Sequence, residues 1–502
     1  MSYKVYKVTQ TELNYSGYEV KINGKRENLN TARVSAYPFN RRWPGHQRSI
    51  DQTELINFLW LEADEKLNFE ITAPESFQNV VIKPASLNIT PEITDDGKIL
   101  FTLEKPAYFT VEPFNRRNAL HIFADNVKKY NIDKNADNVI YFDAGEHEAG
   151  LIELKSNQTL FIDEGAVVYA NIYAEDAENI KILGRGILDN SRNKEVILYD
   201  ANIEDNDSAV KNAKRRHTVQ LEYCTNIEIE GITIRDSLVY NIRPLACHDF
   251  NVKNVKLIGN WRYNSDGIDM HNCTDVVIDN CYIRTFDDCI CVKGFDCYYE
   301  GDVEKAVHDA MYRNGKSYDV FKNVVVKNCV LWNDWGKCLE IGAETRAEEI
   351  CNISFENCDI IHVSGPALDC MNIDYADVHD VIYKNINVEY DDTIPTCEIQ
   401  KNDSHTYENT NPDNAPDMIR VEVGYHKEYS AGGTRRGKCR DITFENINYT
   451  GRHKPTLSFD GYSNEHKTEN ITIKNLTING KKATKDDVNL VTGDFCENIK
   501  IV

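Results

Sequence analysis

From about residue 179 onward the chain alternates apolar and polar residues in short runs, each reaching a glycine or asparagine before a second short run begins. The pattern reads NIKILGRGIL (from 179), NIEIEGITI (226), DFNVKNVKLI (249), DVVIDNCYI (275), NVVVKNCVL (323), NISFENCDI (352), DVIYKNINV (380), DITFENINY (441) and NITIKNLTI (470). A period of two predicts half-buried strands. The punctuating positions are Gly184, Gly231, Asn254, Asn280, Asn328, Asn357, Asn385, Asn446 and Asn475, mostly 23 to 29 residues apart, with longer gaps of 47, 48 and 61 that suit two coils or one coil with an inserted loop. Strands recurring at this interval without intervening helices predict a solenoid of the parallel β-helix type, whereas a propeller blade needs about 40–45 residues. Glycine and asparagine tolerate left-handed backbone angles, so they mark the corners, and stacked corners predict an asparagine ladder.

The first 120 residues lack this rhythm. Short strand patterns (YKVYKV, YEVKING, LNFEIT, NVVIKP, KILFTL, YFTVEP) separated by Pro and Gly turns predict an antiparallel β-sandwich. The expected division is a sandwich over residues 1–120 and a β-helix over 121–502, with 118–131 a helix or irregular linker. The motif PFNRR occurs at Pro38–Arg42 and again at Pro113–Arg117. It predicts paired structural turns or, through Trp43, His46 and Arg48, a segment reaching a ligand site.

Composition narrows the function classes. A formal charge of -23 opposes nucleic acid and anionic membrane surfaces. No run of about 18 apolar residues is present and the first residues lack a signal-peptide core, so the chain as written is expected to be cytoplasmic, or secreted if its N-terminus has been trimmed. The 15 cysteines, all after residue 223, show no zinc spacing and are expected to be reduced core residues. NGKS at 314–317 is no phosphate loop, because Ala310 stands where such a loop needs its first glycine. No cofactor and no metal are expected.

Acidity is concentrated in NSDGIDMHNCTDVVIDNCYIRTFDDC, Asn264–Cys289, with six aspartates in 26 residues. Asp266 and Asp287 are 21 residues apart, about one coil, and neighbouring strands lie about 4.7–4.9 Å apart, so the two predict a shared carboxyl site with Asp288 beside it. Like-charge repulsion and burial would raise at least one pKa, leaving a proton donor beside an ionised base. Glycoside hydrolysis uses such a pair. Surface-turn aspartates or a calcium site fit the same spacing.

The ordered set GLIELKSNQTLFIDEGAVV (150–168), GRGILDN (184–190), DSLVYNIRP (236–244), NSDGID and FDDCICVKG resembles glycoside hydrolase family 28, the polygalacturonases, and its clan relatives in family 49, the dextranases and isopullulanase. The resemblance implies a right-handed, pectin-lyase-like β-helix and an inverting mechanism. It further implies Asp287 as general acid, Asp266 and Asp288 as the pair that holds and deprotonates water, and Asn264 as an orienting residue, with Asp269 bracing the turn. Two family motifs are replaced: GKCLEIG puts Lys337 where a histidine is expected, and ALDCMNI (367–373) has neither Arg nor Lys. Loss of a guanidinium fork for a uronate favours a neutral α-linked substrate, dextranase- or isopullulanase-like, and the preceding sandwich resembles family 49. Substrate contacts are then expected from Asn264, Lys293, Lys337, Glu340, Glu344 and Asp369, and from the aromatic residues Trp261, Tyr263, Trp332 and Trp335. The alternatives are a polygalacturonase-like pectin hydrolase, a calcium-dependent polysaccharide lyase and a carbohydrate-binding β-helix without catalysis. The insertion Phe295–Phe321 predicts a short helix closing one end of the cleft.

Overall fold

The computed structural model describes residues 3–8, 10, 13–36, 50, 53–193, 213–262, 264–295, 303–390, 417–426, 430 and 433–502. From Val139 onward a 32-stranded sheet winds as a parallel β-helix, strands pairing with the equivalent strand one coil later, apart from the antiparallel pair Thr477–Ile478 and Lys481–Lys482 near its end. Every coil has three faces. One runs through Val219–Glu222, Ile242–Leu245, Ile268–His271, Ile290–Lys293, Leu339–Ala343, Leu368–Asn372 and Asp417–Val423. Inside the coils, isoleucine, valine and leucine stack with cysteines such as Cys247, Cys273, Cys338 and Cys370. Eleven of the thirteen described cysteines are buried and none of the thirteen is in a disulfide, which agrees with their use as small core residues.

The predicted corners are left-handed: Asn254, Asn280, Asn328, Asn357, Asn385, Asn446 and Asn475 have φ of 53–57°. Their amides hydrogen-bond along the axis, Asn385 Nδ2 to Asn357 Oδ1 (2.9 Å), Asn446 to Asn385 (2.8 Å) and Asn475 to Asn446 (2.7 Å). A second ladder, not anticipated, borders the same face at its opposite edge, with Asn226 on Asn179 (2.7 Å) and Asn352 on Asn323 (2.7 Å). Asp275 and Asp279 belong to these corners, accepting from Asn323 and Asn328.

The N-terminal residues form two sheets around their own core of Val20, Leu59, Phe69, Phe101, Phe109 and Ile122. The sandwich is not wholly antiparallel, since Leu120–Asn126 runs parallel to Thr53–Ala63. That strand replaces the helix or linker expected at 118–131 and carries the N-terminal unit past residue 120, to Asn126. Its length follows from alternating contacts: Leu120 and Ile122 face the sandwich core, while His121, Phe123 and Asp125 face the β-helix.

A second apolar cluster joins the two units, with Phe58, Trp60, Tyr108 and Phe123 packing against Ile258, Tyr282, Trp332 and Ile361. Polar groups within it are paired: Lys256 Nζ donates to Asp125 Oδ2 (2.6 Å), Trp60 Nε1 to the same carboxylate (2.9 Å) and Arg284 bonds His121 (2.9 Å). Of the two PFNRR motifs, the first and its Trp43, His46 and Arg48 lie outside the described residues. The second is structural, Arg116 reaching Asp334 on the β-helix.

A ladder asparagine supplies two things, a left-handed corner and an amide bridge. Asn446→Ala should therefore destabilise by about 1 kcal/mol more than Asn446→Gly, because alanine also strains a left-handed backbone. Urea unfolding checks this; equal midpoints for the two variants would contradict it.

Candidate functional site

The cleft is built where three turns precede equivalent strands. Ile268 pairs with Ile290, and Ile290 with Leu339. Parallel pairing continues into the turns, Gly267 N donating to Asp288 O (2.8 Å) and Cys289 N to Lys337 O (2.8 Å). Asp266, Asp288 and Lys337 are thus successive occupants of one position on adjacent coils. The register differs from the expected stacking of Asp266 on Asp287: Asp288 is the coil-mate, and Asp287 stands beside it on the bend. All three aspartates nonetheless converge, with one oxygen from each lying within 4.8 Å of the others.

Gly336 makes this approach possible. A Cβ there would lie 2.1 Å from Asp288 Oδ1 and 2.5 Å from Asp287 Oδ1, so a side chain would displace both carboxyls. The bend holding Asp287 is fixed by Asn333 Nδ2, which donates to Asp287 O (2.6 Å), while Asp287 Oδ1 accepts from Asp288 N (3.0 Å).

The carboxyls are electrostatically unequal. Burial, followed by the charge on Asp288, pushes Asp287 well above the usual carboxylate range. Burial also pushes Asp266 well up, reinforced by Asp269 and Asp287. At Asp288 burial acts in the same direction but is outweighed by the Lys337 ammonium, a hydrogen bond from Glu340 and the Lys337 N–H at 2.7 Å, which together hold it at about 2. Glu340, fully buried, is raised by burial and by Asp288, so it keeps a proton. The arrangement places an ionised carboxylate beside protonated ones.

Two lysines compensate the cluster. Lys293 Nζ lies 2.9 Å from Asp269, 3.7 Å from Glu344 and 3.8 Å from Asp266. Lys337 Nζ is 2.9 Å from Glu340 and 3.6 Å from Asp288. Asp269, expected to brace a turn, instead anchors Lys293 from within the strand Ile268–His271. Asp266, Asp287 and Asp288 could share one cation, as could Asp288, Cys291 and Glu340. Calcium prefers six to eight oxygens, and here the two ammonium groups already supply positive charge.

The remaining expected residues divide. Lys293, Lys337, Glu340 and Glu344 surround the aspartates, and Trp335 is half-buried on the same turn as Gly336, against Phe286. Asp369 follows Glu340 one coil on but is fully buried and gripped by Arg420 (2.8 and 2.6 Å). Asn264 has φ 56° and its side chain has no hydrogen-bond partner among the described residues, so it serves the turn through its backbone rather than orienting the cluster. Trp261 is buried, its Nε1 donating to Asp236 (3.1 Å) and its ring covered by Arg262, so it offers no open face. Trp332 is fully enclosed between the two units, which removes it from the cleft. Tyr263 lies outside the described residues. The expected helix in the insertion is Val303–Met311.

Sequence reasoning missed Arg420 and Tyr240. Arg420 pairs with Asp369 in register but lies 51 residues away because a long segment separates their coils. Tyr240 directly precedes Asn241, whose N–H donates to Asp266 O (2.9 Å), so it occupies the Asp266 position one coil earlier; Lys293 Nζ lies 5.1 Å from its ring centre.

Residues 146–394 match the family described as "Glycosyl hydrolases family 28". A probable polygalacturonase of Vitis vinifera is 24% identical over 251 residues, covering 43% of this chain and 48% of that protein. The polygalacturonase of Gossypium barbadense is 24% identical over 232 residues, covering 44% and 53%. The chain thus spans about half the length of the curated relatives it matches. Dex49A from Penicillium minioluteum has a similar fold over 96% of this chain and 92% of its own (TM-score 0.53, 14% identity). A hyperthermoactive exopolygalacturonase from Thermotoga maritima does so over 72% and 84% (TM-score 0.51, 16% identity). Residues 146–394 thus carry a family 28 glycosyl hydrolase segment, set on a β-helix fold shared with these two enzymes.

Proposed function

We propose that this protein hydrolyses O-glycosidic bonds of a uronate-bearing, pectin-like polysaccharide or its oligosaccharides by direct displacement with inversion. The observation that carries the chemistry is the pairing of a protonated Asp287 with an Asp288 held ionised at about 2, within 4.8 Å of Asp266. Asp287, the most exposed of the three, gives its proton to the leaving glycosidic oxygen. Two oxygens that close can both accept from one water at ordinary hydrogen-bond lengths of about 2.8 Å, so Asp266 and Asp288 hold the nucleophile and Asp288 takes its proton. Lys337 keeps Asp288 ionised until then.

The substrate half rests on the family match, on relatives named as polygalacturonases, and on charge. The neutral-glucan expectation came from two motif positions without their cations. Lys337 at the first is itself cationic and adjoins Asp288, while Arg420 approaches the second from the next coil. Both are partly exposed, at 22% of their side chains, which suits contact with a sugar carboxylate. The close spacing of the aspartates favours one further reading: carboxyls about 5 Å apart are typical of retaining enzymes, with a glycosyl-enzyme intermediate. The two routes yield opposite product anomers.

Asp287→Asn should lower kcat on oligogalacturonate by about 10²–10⁴-fold, the usual contribution of a general acid; wild-type-like turnover would remove Asp287 from this role. A wild-type protein that cleaves neutral α-glucans but no oligogalacturonate would overturn the substrate half. Lys337→Met withdraws a cation that favours the ionised forms of both Asp287 and Asp288. Both carboxyls then bind protons more tightly, so both limbs of the pH–rate profile should move to higher pH. An unmoved profile or a downward shift contradicts this electrostatic account.

A further inference from the structure

A second cluster of metal-ligating side chains lies away from the aspartates, on the outer face of strands that follow the cleft. Glu349 and Cys351 belong to the strand Glu349–Glu356, and Cys351 pairs in register with His379 of Asp377–Glu389 on the next coil. Alternation puts Glu349 and Cys351 on one side of their strand, with Ile350 and Val378 turned into the core. One ligand atom from each of Glu349, Cys351 and His379 lies within 4.8 Å of the others. Cys351 and His379 are 28 residues apart, which is a coil length, so no short metal-binding spacing marks the pair in the sequence.

The ring of His379, 8% exposed, is held between two carboxylates: Nδ1 is 2.7 Å from Asp380 Oδ2 and Nε2 is 2.9 Å from Glu349 Oε1. A neutral imidazole has one N–H and can donate to only one of them. The other contact then sets a lone pair against a carboxylate oxygen, an arrangement that needs a cation between the two, either a proton or a metal ion. Asp380 is placed for the donating side. It stands at a left-handed corner, φ 53°, in line with Asn352, whose amide donates the other way to Asn323 (2.7 Å), leaving the Asp380 carboxylate to its own neighbour. A carboxylate behind one imidazole nitrogen, with the other nitrogen turned outward, is how metal-ligating histidines are fixed in tautomer and orientation. Glu349 meets that outward nitrogen and also the Cys351 thiol. Burial, followed by the Glu349 carboxylate, pushes the thiol up to about 11, and a bound divalent cation displaces its proton.

We propose that Glu349, Cys351 and His379 bind one zinc ion, or a divalent cation of similar softness, with Asp380 holding the imidazole from behind. Ligand atoms bonded to a tetrahedral zinc at about 2.0–2.3 Å lie about 3.3–3.7 Å from one another, so the present spacing closes by small side-chain movements. Sulfur, imidazole and carboxylate are the donors zinc accepts, whereas calcium and magnesium take oxygen. Charge is balanced locally, since Glu349, Asp380 and a Cys351 thiolate face one dication. Lys322 and Arg440 continue the same register line on either side, and Arg440 is engaged by Asp377 and Asp441. Glu349 follows Glu344 by five residues, and Glu344 holds Lys293 in the cleft. The ion would therefore tie two successive coils just beyond the turn that carries Glu344, with no part in bond cleavage.

The test uses the full chain, stripped of metal by a chelator and titrated with Co²⁺ and with Zn²⁺. Co²⁺ should give a thiolate-to-cobalt charge-transfer band that saturates at one ion per chain, is absent in Cys351→Ala and is displaced by Zn²⁺. His379→Gln should weaken Zn²⁺ binding at least ten-fold, and Zn²⁺ should raise the urea midpoint of the wild type but not of Cys351→Ala. Asp380 is exposed at its corner, so Asp380→Asn carries the test if His379→Gln unfolds, with a loss of about ten-fold in affinity. Binding without a thiolate band, or a band that survives Cys351→Ala, would put the metal on other groups, the cleft aspartates among them, and overturn the site. A wild type that binds no Zn²⁺ at millimolar concentration would overturn it equally.

Discussion

Adjacent coils of a parallel β-helix are separated by one hydrogen-bonded strand spacing, about 4.8 Å, and residues at equivalent positions inherit that separation. Asp266 and Asp288 occupy such positions, and Asp287 is carried in by the bend between Thr285 and Cys289. Three carboxyls this close cannot all be ionised at ordinary cost. The surroundings of the cleft answer that constraint. Lys293 and Lys337 offset the charge, Asp269 and Glu344 hold Lys293, and Glu340 retains a proton against Asp288. Gly336 leaves room for two carboxyls where any side chain would collide.

Rigidity for this arrangement comes from outside the solenoid. Strands Tyr282–Thr285 and Val330–Asn333 lead directly into the turns that carry Asp287, Asp288, Gly336 and Lys337. Both strands lie under the N-terminal sheet, through Tyr282 and Trp332 in the shared apolar cluster and through Arg284 bonded to His121. Arg116 reaches Asp334, one residue before Trp335. The described part of the N-terminal unit therefore braces the turns that carry the aspartates.

Much of this was legible in the sequence, for definite reasons. Corners need left-handed residues, so Asn and Gly recur at the coil period, and the acids stand out because aspartate is otherwise scarce in strands. What stayed hidden depends on register and on partners distant in the chain. A one-residue difference decides whether Asp287 or Asp288 stacks on Asp266, and only the hydrogen bonds into the turn show which. Arg420 escaped notice because the coil period is interrupted between residues 390 and 417. Trp332 looked like cleft surface because Trp335 is nearby, yet three residues along this strand and turn separate an interdomain face from the cleft. The strand Leu120–Asn126 was obscured because each of its faces contacts a different core.

The central claim is that Asp266 and Asp288 direct a water, rather than themselves, onto the anomeric carbon while Asp287 protonates the leaving oxygen. The configuration of the first-formed product reports this directly. Proton NMR of an α-linked oligogalacturonate, recorded during the first minutes of hydrolysis and before mutarotation, should show the β anomer at the newly formed reducing end. Initial appearance of the α anomer would mean that a carboxylate forms a covalent intermediate, and would contradict the account.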